Sequence, residues 1–180
     1  RIGTHVEGKF VPWQADGATL SGVKNLAMRD CFFSQVWEGI DFTGRGVDGF
    51  LQENIHICDT FSYGFKYAHP QKNGKVIRCV SERAGFKGFT IGAETVNLQF
   101  LHCEARDTGA ASAWKVPGRA FNGIAGFDLD FDSAHSPRDI TLQDCKAEAV
   151  AFPDAMEFGF RTSDRARDPA HGIHLIRATV

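Results

Sequence analysis

A short phrase of alternating apolar and polar residues recurs along the chain and restricts the fold more than any other feature. Each copy ends on a small residue of a type that is usually buried. The copies span Asn25–Cys31, residues 74–79, Asn97–Cys103, Asp139–Cys145 and Gly172–Ala178. Asn54–Thr60 fits the same frame, with threonine at the cysteine position. Because one strand and one turn cannot bury an apolar face alone, we expect successive copies to stack.

A second phrase, glycine–apolar–variable–apolar, follows copies of the first. Its instances are Gly39–Phe42, Gly64–Tyr67, Gly88–Ile91, Gly126–Leu129 and Gly159–Thr162. Two short strands per repeat with period-two alternation are typical of a solenoid coil. The cysteine spacings give coils of about 21 to 27 residues, too short for a strand plus a helix. The sequence therefore predicts an all-β, right-handed parallel β-helix of about six coils, as a single domain over residues 1–180.

These frames resemble the pectin-lyase-like superfamily of right-handed β-helices, over nearly the whole chain. That superfamily includes polysaccharide lyases, epimerases and hydrolases as well as phage tailspike depolymerases. The segment from Tyr63 to Gln71 looks like the catalytic segment of mannuronan epimerases, with Lys66 in place of the aspartate and two additional residues before His69. The resemblance implies a polysaccharide partner and favours a secreted or cell-surface location. It does not fix the reaction.

Composition excludes two classes of partner. The formal net charge is −2, so the chain lacks the basic footprint of a nucleic-acid-binding protein. No apolar run approaches the roughly 20 residues that a membrane helix needs. The chain begins at Arg1 and ends inside a strand-like frame at Val180. These ends leave open that the sequence is an excerpt of a longer protein.

The five cysteines match the coil period rather than a metal motif. There is no Cys-x-x-Cys pair, and the histidines are not spaced as metal ligands, so we predict no cysteine or histidine metal site. Cys31, Cys103 and Cys145 occupy one position in their frames, and Cys79 is expected to join them. We expect a buried, reduced ladder of thiols inside the solenoid.

Outward-facing positions must carry any function, because the inward ones build the core. In the second phrase, the variable residues form one predicted row on the outer face, namely Asp41, Lys66, Thr90, Asp128 and Arg161. We expect this row to be an exposed stripe of mixed charge that suits an extended polymer. Lys66, Arg161 and the nearby His69 are candidate catalytic residues, and Asp41 and Tyr67 are candidate substrate-binding residues.

The strand after Gly126 carries three aspartates at alternate positions, Asp128, Asp130 and Asp132. Their carboxylates are about 6.6 Å apart by strand rise, a spacing that fits an acid–base pair of a glycosidase. Asp128 and Asp130 are therefore candidate catalytic residues. The same oxygens could hold Ca²⁺, which prefers carboxylate ligands. The remaining alternative is a solvated strand face with Asp128 paired to Arg161 and Lys66.

The longest connection in the chain leads into this aspartate strand. Cys103 and Gly126 are 23 residues apart, and the connection carries Trp114 and Arg119. Long loops on a rigid scaffold often carry binding residues. A tryptophan can stack on a sugar ring and an arginine can bind a carboxylate with two hydrogen bonds. Both are candidate substrate-binding residues.

Three classes of function remain open from the sequence. The first is a lyase or epimerase acting on an acidic polysaccharide with Lys66, His69 or Arg161. The second is a glycoside hydrolase that uses Asp128 and Asp130. The third is a non-catalytic binding, adhesin or spike-like module, in which the charged row is only solvated surface. Fold alone does not choose among them.

Overall fold

The computed structural model describes residues 3–6, 9–12, 15–109, 123–129, 137–152, 156–162 and 171–180. Its regular structure in these ranges consists of strands, and none of the described residues forms a helix that is long and apolar enough to span a membrane. Strands β1 (Gly3–Val6) and β2 (Lys9–Pro12) form an antiparallel hairpin. The seventeen remaining strands form three parallel sheets. The predicted parallel β-helix is confirmed.

Sheet 1 and sheet 2 each contain one strand from six coils. The strands of sheet 1 are β3 (Ala18–Leu20), β6 (Ile40–Phe42), β9 (Tyr63–Tyr67), β12 (Lys87–Ile91), β15 (Ala125–Leu129) and β18 (Phe158–Thr162). The strands of sheet 2 are β4 (Val23–Arg29), β7 (Val47–Glu53), β10 (Lys72–Ile77), β13 (Val96–Leu101), β16 (Arg138–Gln143) and β19 (His171–Ile176). Six stacked coils agree with the number expected from the repeat.

A third strand in each of five coils was not expected from the sequence. Sheet 3 consists of β5 (Phe32–Ser34), β8 (His56–Cys58), β11 (Val80–Glu82), β14 (Glu104–Arg106) and β17 (Lys146–Glu148). Each of these strands has three residues, which is too short for a period-two pattern to stand out. The prediction of two strands per coil was wrong for this reason.

The corner between sheets 2 and 3 has two residues, of which the first is in the left-handed region. Asp30, Asn54 and Arg78 have φ angles of 53°, 53° and 50° at successive coils. Asn54 Nδ2 donates to Asp30 Oδ1 at 3.0 Å, and Arg78 Nε donates to Asn54 Oδ1 at 2.8 Å, across 24 residues each time. Polar side chains at this corner therefore stabilise both the turn and the stacking of one coil on the next.

The inner face of sheet 1 is a stack of aromatic rings. Phe65, Phe89 and Phe127 lie with successive ring centroids 4.6 Å apart, and Phe160 continues the stack at 5.0 Å from Phe127. This spacing is close to the roughly 4.8 Å between neighbouring strands, so one ring per coil fills the column. The first apolar residue of the glycine phrase supplies this ring, which explains the recurrence of phenylalanine there.

The thiol ladder is confirmed, but the expected burial of Cys31 was wrong. Cys79, Cys103 and Cys145 are buried and reduced, whereas Cys31 at the end of the column is half-buried. Ile55, rather than Thr60, occupies the position between Cys31 and Cys79, because Arg29, Glu53 and Ile77 are in register two residues earlier. The frame at Asn54–Thr60 was misplaced, because its alternation falls on β8 of sheet 3, whereas residues 49–55 are in register with Asn25–Cys31.

Candidate functional site

The outward row of sheet 1 has the register that the repeat predicts. Asp41 pairs with Lys66, Lys66 with Thr90, Thr90 with Asp128, and Asp128 with Arg161. These five side chains therefore stand in one line across five coils, over about 19 Å at ordinary strand spacing. Sequence reasoning located this row correctly. We refer to it as the charged row.

The exposure expected for the charged row was wrong. Asp41, Thr90 and Asp128 are buried on the outer face, with 7%, 5% and 1% of their surface exposed. Lys66 and Arg161 keep 24% and 29% of their side-chain surface accessible. Since a buried charge without a partner is very costly, the aspartates require nearby cations.

At the N-terminal end of the row, Lys66 lies among carboxylates. Its Nζ donates to Glu38 at 2.9 and 3.1 Å and lies 3.5 Å from Asp41 Oδ2. Asp16 joins this group: one carboxylate oxygen each from Asp16, Glu38 and Asp41 lies within 4.8 Å of the others. Thr19 donates to Asp16 Oδ2 at 2.8 Å. We call Asp16, Glu38, Asp41 and Lys66 the acidic cluster.

The backbone of three coils brings the acidic cluster together. Asp16 precedes β3, Glu38 precedes β6, and Gly17 N donates to Glu38 O at 2.9 Å. Gly39 N in turn donates to Tyr63 O at 3.0 Å, which sets Glu38 beside the coil that carries Lys66. The ring of Tyr63 lies under the ammonium, with Lys66 Nζ 5.3 Å from its centroid. The ring adds to the anionic surroundings of Lys66 through a cation–π contact.

Two pKa shifts follow from this geometry. Burial raises the pKa of Glu38 above its ordinary value, and the hydrogen bond and charge of Lys66 offset only part of that effect. For Lys66, burial alone would lower the pKa, but hydrogen bonds and charge from Glu38 and Asp41 outweigh it and raise the pKa. The acidic cluster therefore combines a carboxyl group that holds its proton to higher pH with a lysine that stays charged.

Carboxylate oxygens at this spacing are the kind of donor set that a hard cation such as Ca²⁺ prefers. Lys66 already supplies positive charge to two of the three carboxylates. The calcium interpretation in the sequence concerned a different set, Asp128, Asp130 and Asp132. Of these only Asp128 lies within the described residues.

At the other end of the row, Asp128 lies between two cations. It forms a buried ion pair with Lys87, and Arg161 Nε is 3.8 Å from its Oδ1. Arg161 Nη1 also donates to Gly123 O at 3.1 Å, and Gly123 N donates to Glu157 Oε2 at 2.8 Å. Asp128 is thus part of a buried charge network rather than an exposed acid.

Sequence reasoning missed Glu38 and Lys87, although both directly precede a phrase glycine. Strict alternation would point the residue before Gly88 inward, yet Lys87 reaches Asp128 on the outer face. The strand departs from alternation at Gly88, where a Cβ would lie 2.6 Å from Gly126 O and 2.8 Å from Ala105 Cβ. In the pairing of β12 with β15, Lys87 accordingly lies opposite Ala125 and Phe89 opposite Phe127, and Gly88 has no paired residue. Polar residues directly before the recurrent glycine were the available signal.

Two further predicted site residues that the structure describes, Tyr67 and His69, lie apart from the acidic cluster. Tyr67 lies in the core with no exposed surface, and its hydroxyl donates to Gln52 Oε1 at 2.5 Å, so it does not reach the outer face where a substrate would bind. His69 is exposed at the corner after β9. Asp130, Asp132, Trp114 and Arg119 lie outside the described residues. The predicted cleft between the long loop and the aspartate strand stays a prediction.

Comparisons of this chain with protein-family models, with curated proteins and with solved structures find no match. Function must therefore be inferred from the charged row and its surroundings.

Proposed function

We propose that this β-helix binds and hydrolyses an acidic polysaccharide along the outer face of sheet 1, with Glu38 and Asp41 as the reacting carboxyl groups. One observation carries the proposal. Oxygens of these two carboxyl groups lie within 4.8 Å of each other, and burial raises the pKa of Glu38. Glycosidases need one carboxyl group that is protonated and a second that is ionised.

The roles follow from the surroundings of each group. Glu38, with its raised pKa, donates a proton to the glycosidic oxygen of the leaving sugar. Asp41 attacks the anomeric carbon, and Glu38 then accepts a proton from the water that releases the product. The short separation favours this retaining course, because an inverting enzyme needs room for a water between carboxyl groups about 6.5–9.5 Å apart.

The accessible cations of the row favour an acidic polymer. Lys66 and Arg161 are the members of the charged row that retain the most accessible surface, and they lie toward opposite ends of it. Arg161 lies over the ring of Phe158, with its Cζ 5.7 Å from the ring centroid, and Lys66 lies over the ring of Tyr63. A chain of acidic sugars along the row would meet a positive group beside an aromatic ring near each end.

Elimination is the weaker of the two enzymatic alternatives at this cluster. A lyase or epimerase needs a base that removes a proton next to a carboxylate. The raised pKa of Lys66 keeps its amine protonated and therefore unsuited to that role. Lys66 can still neutralise the carboxylate of a uronic acid.

A binding or structural module is the second candidate function. The burial of Asp128 between Lys87 and Arg161 favours it, because a paired and buried carboxylate is also what a purely structural charge ladder contains. In that case the row would hold the coils in register, and any glycan would contact only its accessible side chains.

Incubation with alginate, pectate, glycosaminoglycans and neutral glycans separates these alternatives. We expect new reducing ends without a rise in absorbance at 235 nm on one of the acidic polymers. A simultaneous rise at 235 nm would indicate elimination, and binding without cleavage would indicate a binding module. Absence of both cleavage and binding would leave the structural interpretation.

Variants assign the activity to the acidic cluster. Glu38→Gln and Asp41→Asn should each lower kcat by about a hundredfold or more, since they remove the acid and the nucleophile. Asp30→Asn is the matched control, because Asp30 is an exposed acid at the corner between sheets 2 and 3. Equal activity of Glu38→Gln and the unaltered protein would exclude the assigned mechanism.

A further inference from the structure

A second charged feature lies on the corner between sheets 1 and 2, away from the acidic cluster. A groove of about 530 Å³ opens there, lined by Pro70, Lys72, Asn73, Glu94, Val96 and Arg138. Its volume falls within the range of small-molecule sites, roughly 300–1,000 Å³. Neither the sequence repeat nor the charged row accounts for it.

The cations of this groove differ from those of the charged row. Lys66, Lys87 and Arg161 are all paired with carboxylates. Lys72 and Arg138 are exposed, and neither forms an ion pair with any residue in the described ranges. Their charges are therefore free to meet an anionic ligand.

Strand register fixes the spacing of these two cations. Lys72 pairs with Val96 and Val96 with Arg138, so the three residues stand in one column of sheet 2. Backbone bonds hold the column, with Val96 N donating to Gln71 O at 2.8 Å and Arg138 N to Thr95 O at 2.9 Å. Lys72 and Arg138 thus lie two strand spacings apart, about 9.6 Å, on either side of an apolar residue.

Acceptors of hydrogen bonds lie beside the cations. Glu94 is exposed on the groove wall and has a φ of 61°, a left-handed conformation that is uncommon for glutamate. Asn73 lies next to Lys72 and is held by bonds to Asp48 and Asn97, each of 2.9 Å. An oxygen-rich ligand with a negative charge at each end and an apolar face would complement this set.

We propose that this groove is a separate binding site for a short acidic saccharide, in which Lys72 and Arg138 bind carboxylates of different sugar units. Arg138 offers a planar fork suited to two hydrogen bonds with a carboxylate, and Lys72 a point charge. Val96 packs against the apolar face of the sugar between them, and Glu94 accepts hydrogen bonds from its hydroxyl groups. The choice of an acidic saccharide rests on the proposed function, whereas the site itself rests on the groove and its unpaired cations.

Calorimetric titration tests the site directly. The protein carries Glu38→Gln, so that the probe is not cleaved, and the probes are a galacturonic acid tetrasaccharide, a neutral galactose tetrasaccharide and inorganic phosphate. We expect binding of the acidic tetrasaccharide only. Lys72→Gln and Arg138→Gln should each weaken it by about tenfold, the effect of losing one charge-assisted hydrogen bond.

The matched control is the double variant Lys24→Gln, Arg45→Gln. It removes the same charge from exposed side chains, and Lys24 belongs to the same column of sheet 2 as Lys72. If the control and the double variant Lys72→Gln/Arg138→Gln weaken tetrasaccharide binding equally, general charge attraction explains the binding and the proposed site is wrong. Equal affinity for phosphate would overturn the saccharide assignment.

The outcomes also separate this site from the proposed hydrolysis. Suppose that the tetrasaccharide binds, that the double variant Lys72→Gln/Arg138→Gln loses this binding, and that the unaltered protein cleaves no polymer. The groove is then a binding site and the proposed hydrolytic function is wrong. If polymers are cleaved but the groove variants bind the tetrasaccharide normally, the hydrolytic function is supported and the groove is not the binding site. No binding by the unaltered groove overturns this inference.

Discussion

Lys87 and Asp128 form an ion pair on the outer face of sheet 1 while their side chains keep only 5% and 1% of their surface exposed. A pair this deeply buried is not a solvated surface bridge. Replacement of one partner leaves the other charge buried with fewer partners. This loss of stability is larger than the net stabilisation from the intact pair. The pair also links β12 to β15, which are neighbouring strands of sheet 1.

Lys87→Met should therefore lower the free energy of unfolding by about 3 kcal/mol. Asp128→Asn should have an effect of similar size, and the double variant should lose less than the sum of the two. Denaturant titration measures all three. Lys75→Met, a change at an exposed lysine of β10, serves as the control and should alter stability by less than about 0.5 kcal/mol. Equal effects of Lys87→Met and Lys75→Met would contradict a structural role for the pair.

The thiol ladder predicts a specific pattern of reactivity. Cys31 is half-buried, whereas the other four cysteines are buried, and burial raises the pKa of Cys58 to about 11. The thiolate is the reactive form, and it must be accessible to the reagent. Only Cys31 should therefore react quickly with a disulfide reagent at pH 8 in the native protein, whereas all five cysteines should react in denaturant. Cys31→Ser should remove the fast phase. A fast phase that persists in this variant would show that the ladder is open to solvent.

Asn97 is one of the residues in the left-handed region near the start of the strands of sheet 2. Its φ is 58°, and its Nδ2 donates to Asn73 Oδ1 at 2.9 Å. Asn97→Ala should cost about 2 kcal/mol of stability, because alanine both strains the backbone and loses the bond. Asn97→Gly should cost less, since glycine adopts this conformation freely and already occupies position 49 of the same column with a φ of 72°. Thermal or chemical unfolding compares the two, and an alanine variant as stable as the glycine variant would contradict the prediction.

The sequence predicted the solenoid and the order of the charged row because both depend on period-two alternation alone. The column from Asp41 to Arg161 follows once the inward phenylalanines are placed. The exposure of that column was not predictable, because burial on the outer face depends on residues distant in the chain. Glu38 and Lys87 were missed for a local reason, the departure from alternation at the recurrent glycine. The groove at Lys72 was missed because its walls come from three coils and have no shared motif.

The ion pair of Asp59 with Arg83 predicts acid sensitivity. Arg83 donates to both carboxylate oxygens of Asp59, at 2.6 and 2.9 Å, and its hydrogen bonds lower the pKa of Asp59 against the opposing effect of burial. A depressed pKa in the folded state contributes stability above the unfolded value near 3.8, and that contribution is lost as pH falls through the folded value. At pH 7, Asp59→Asn should be less stable than the unaltered protein by about 1 kcal/mol. The difference should shrink as pH falls below the unfolded value, and a difference that stays constant from neutral to strongly acidic pH would exclude this linkage.

The proton held by Glu38 gives the most direct test of the acidic cluster. Burial raises the pKa of Glu38, and the hydrogen bond and charge of Lys66 pull it down. Removal of the ammonium in Lys66→Met should therefore raise the pKa of Glu38 further. A carboxyl group that acts as the acid must be protonated, so activity falls as pH rises through its pKa. We expect the alkaline limb of kcat/KM to move to higher pH in Lys66→Met, whatever happens to the maximal rate. Titration of the glutamate carboxyl carbons by nuclear magnetic resonance reports the same shift without a substrate, and Lys75→Met should leave it in place. If the resonance of Glu38 titrates at unchanged or lower pH in Lys66→Met, Lys66 does not control this proton and the assignment of Glu38 as the acid loses its basis.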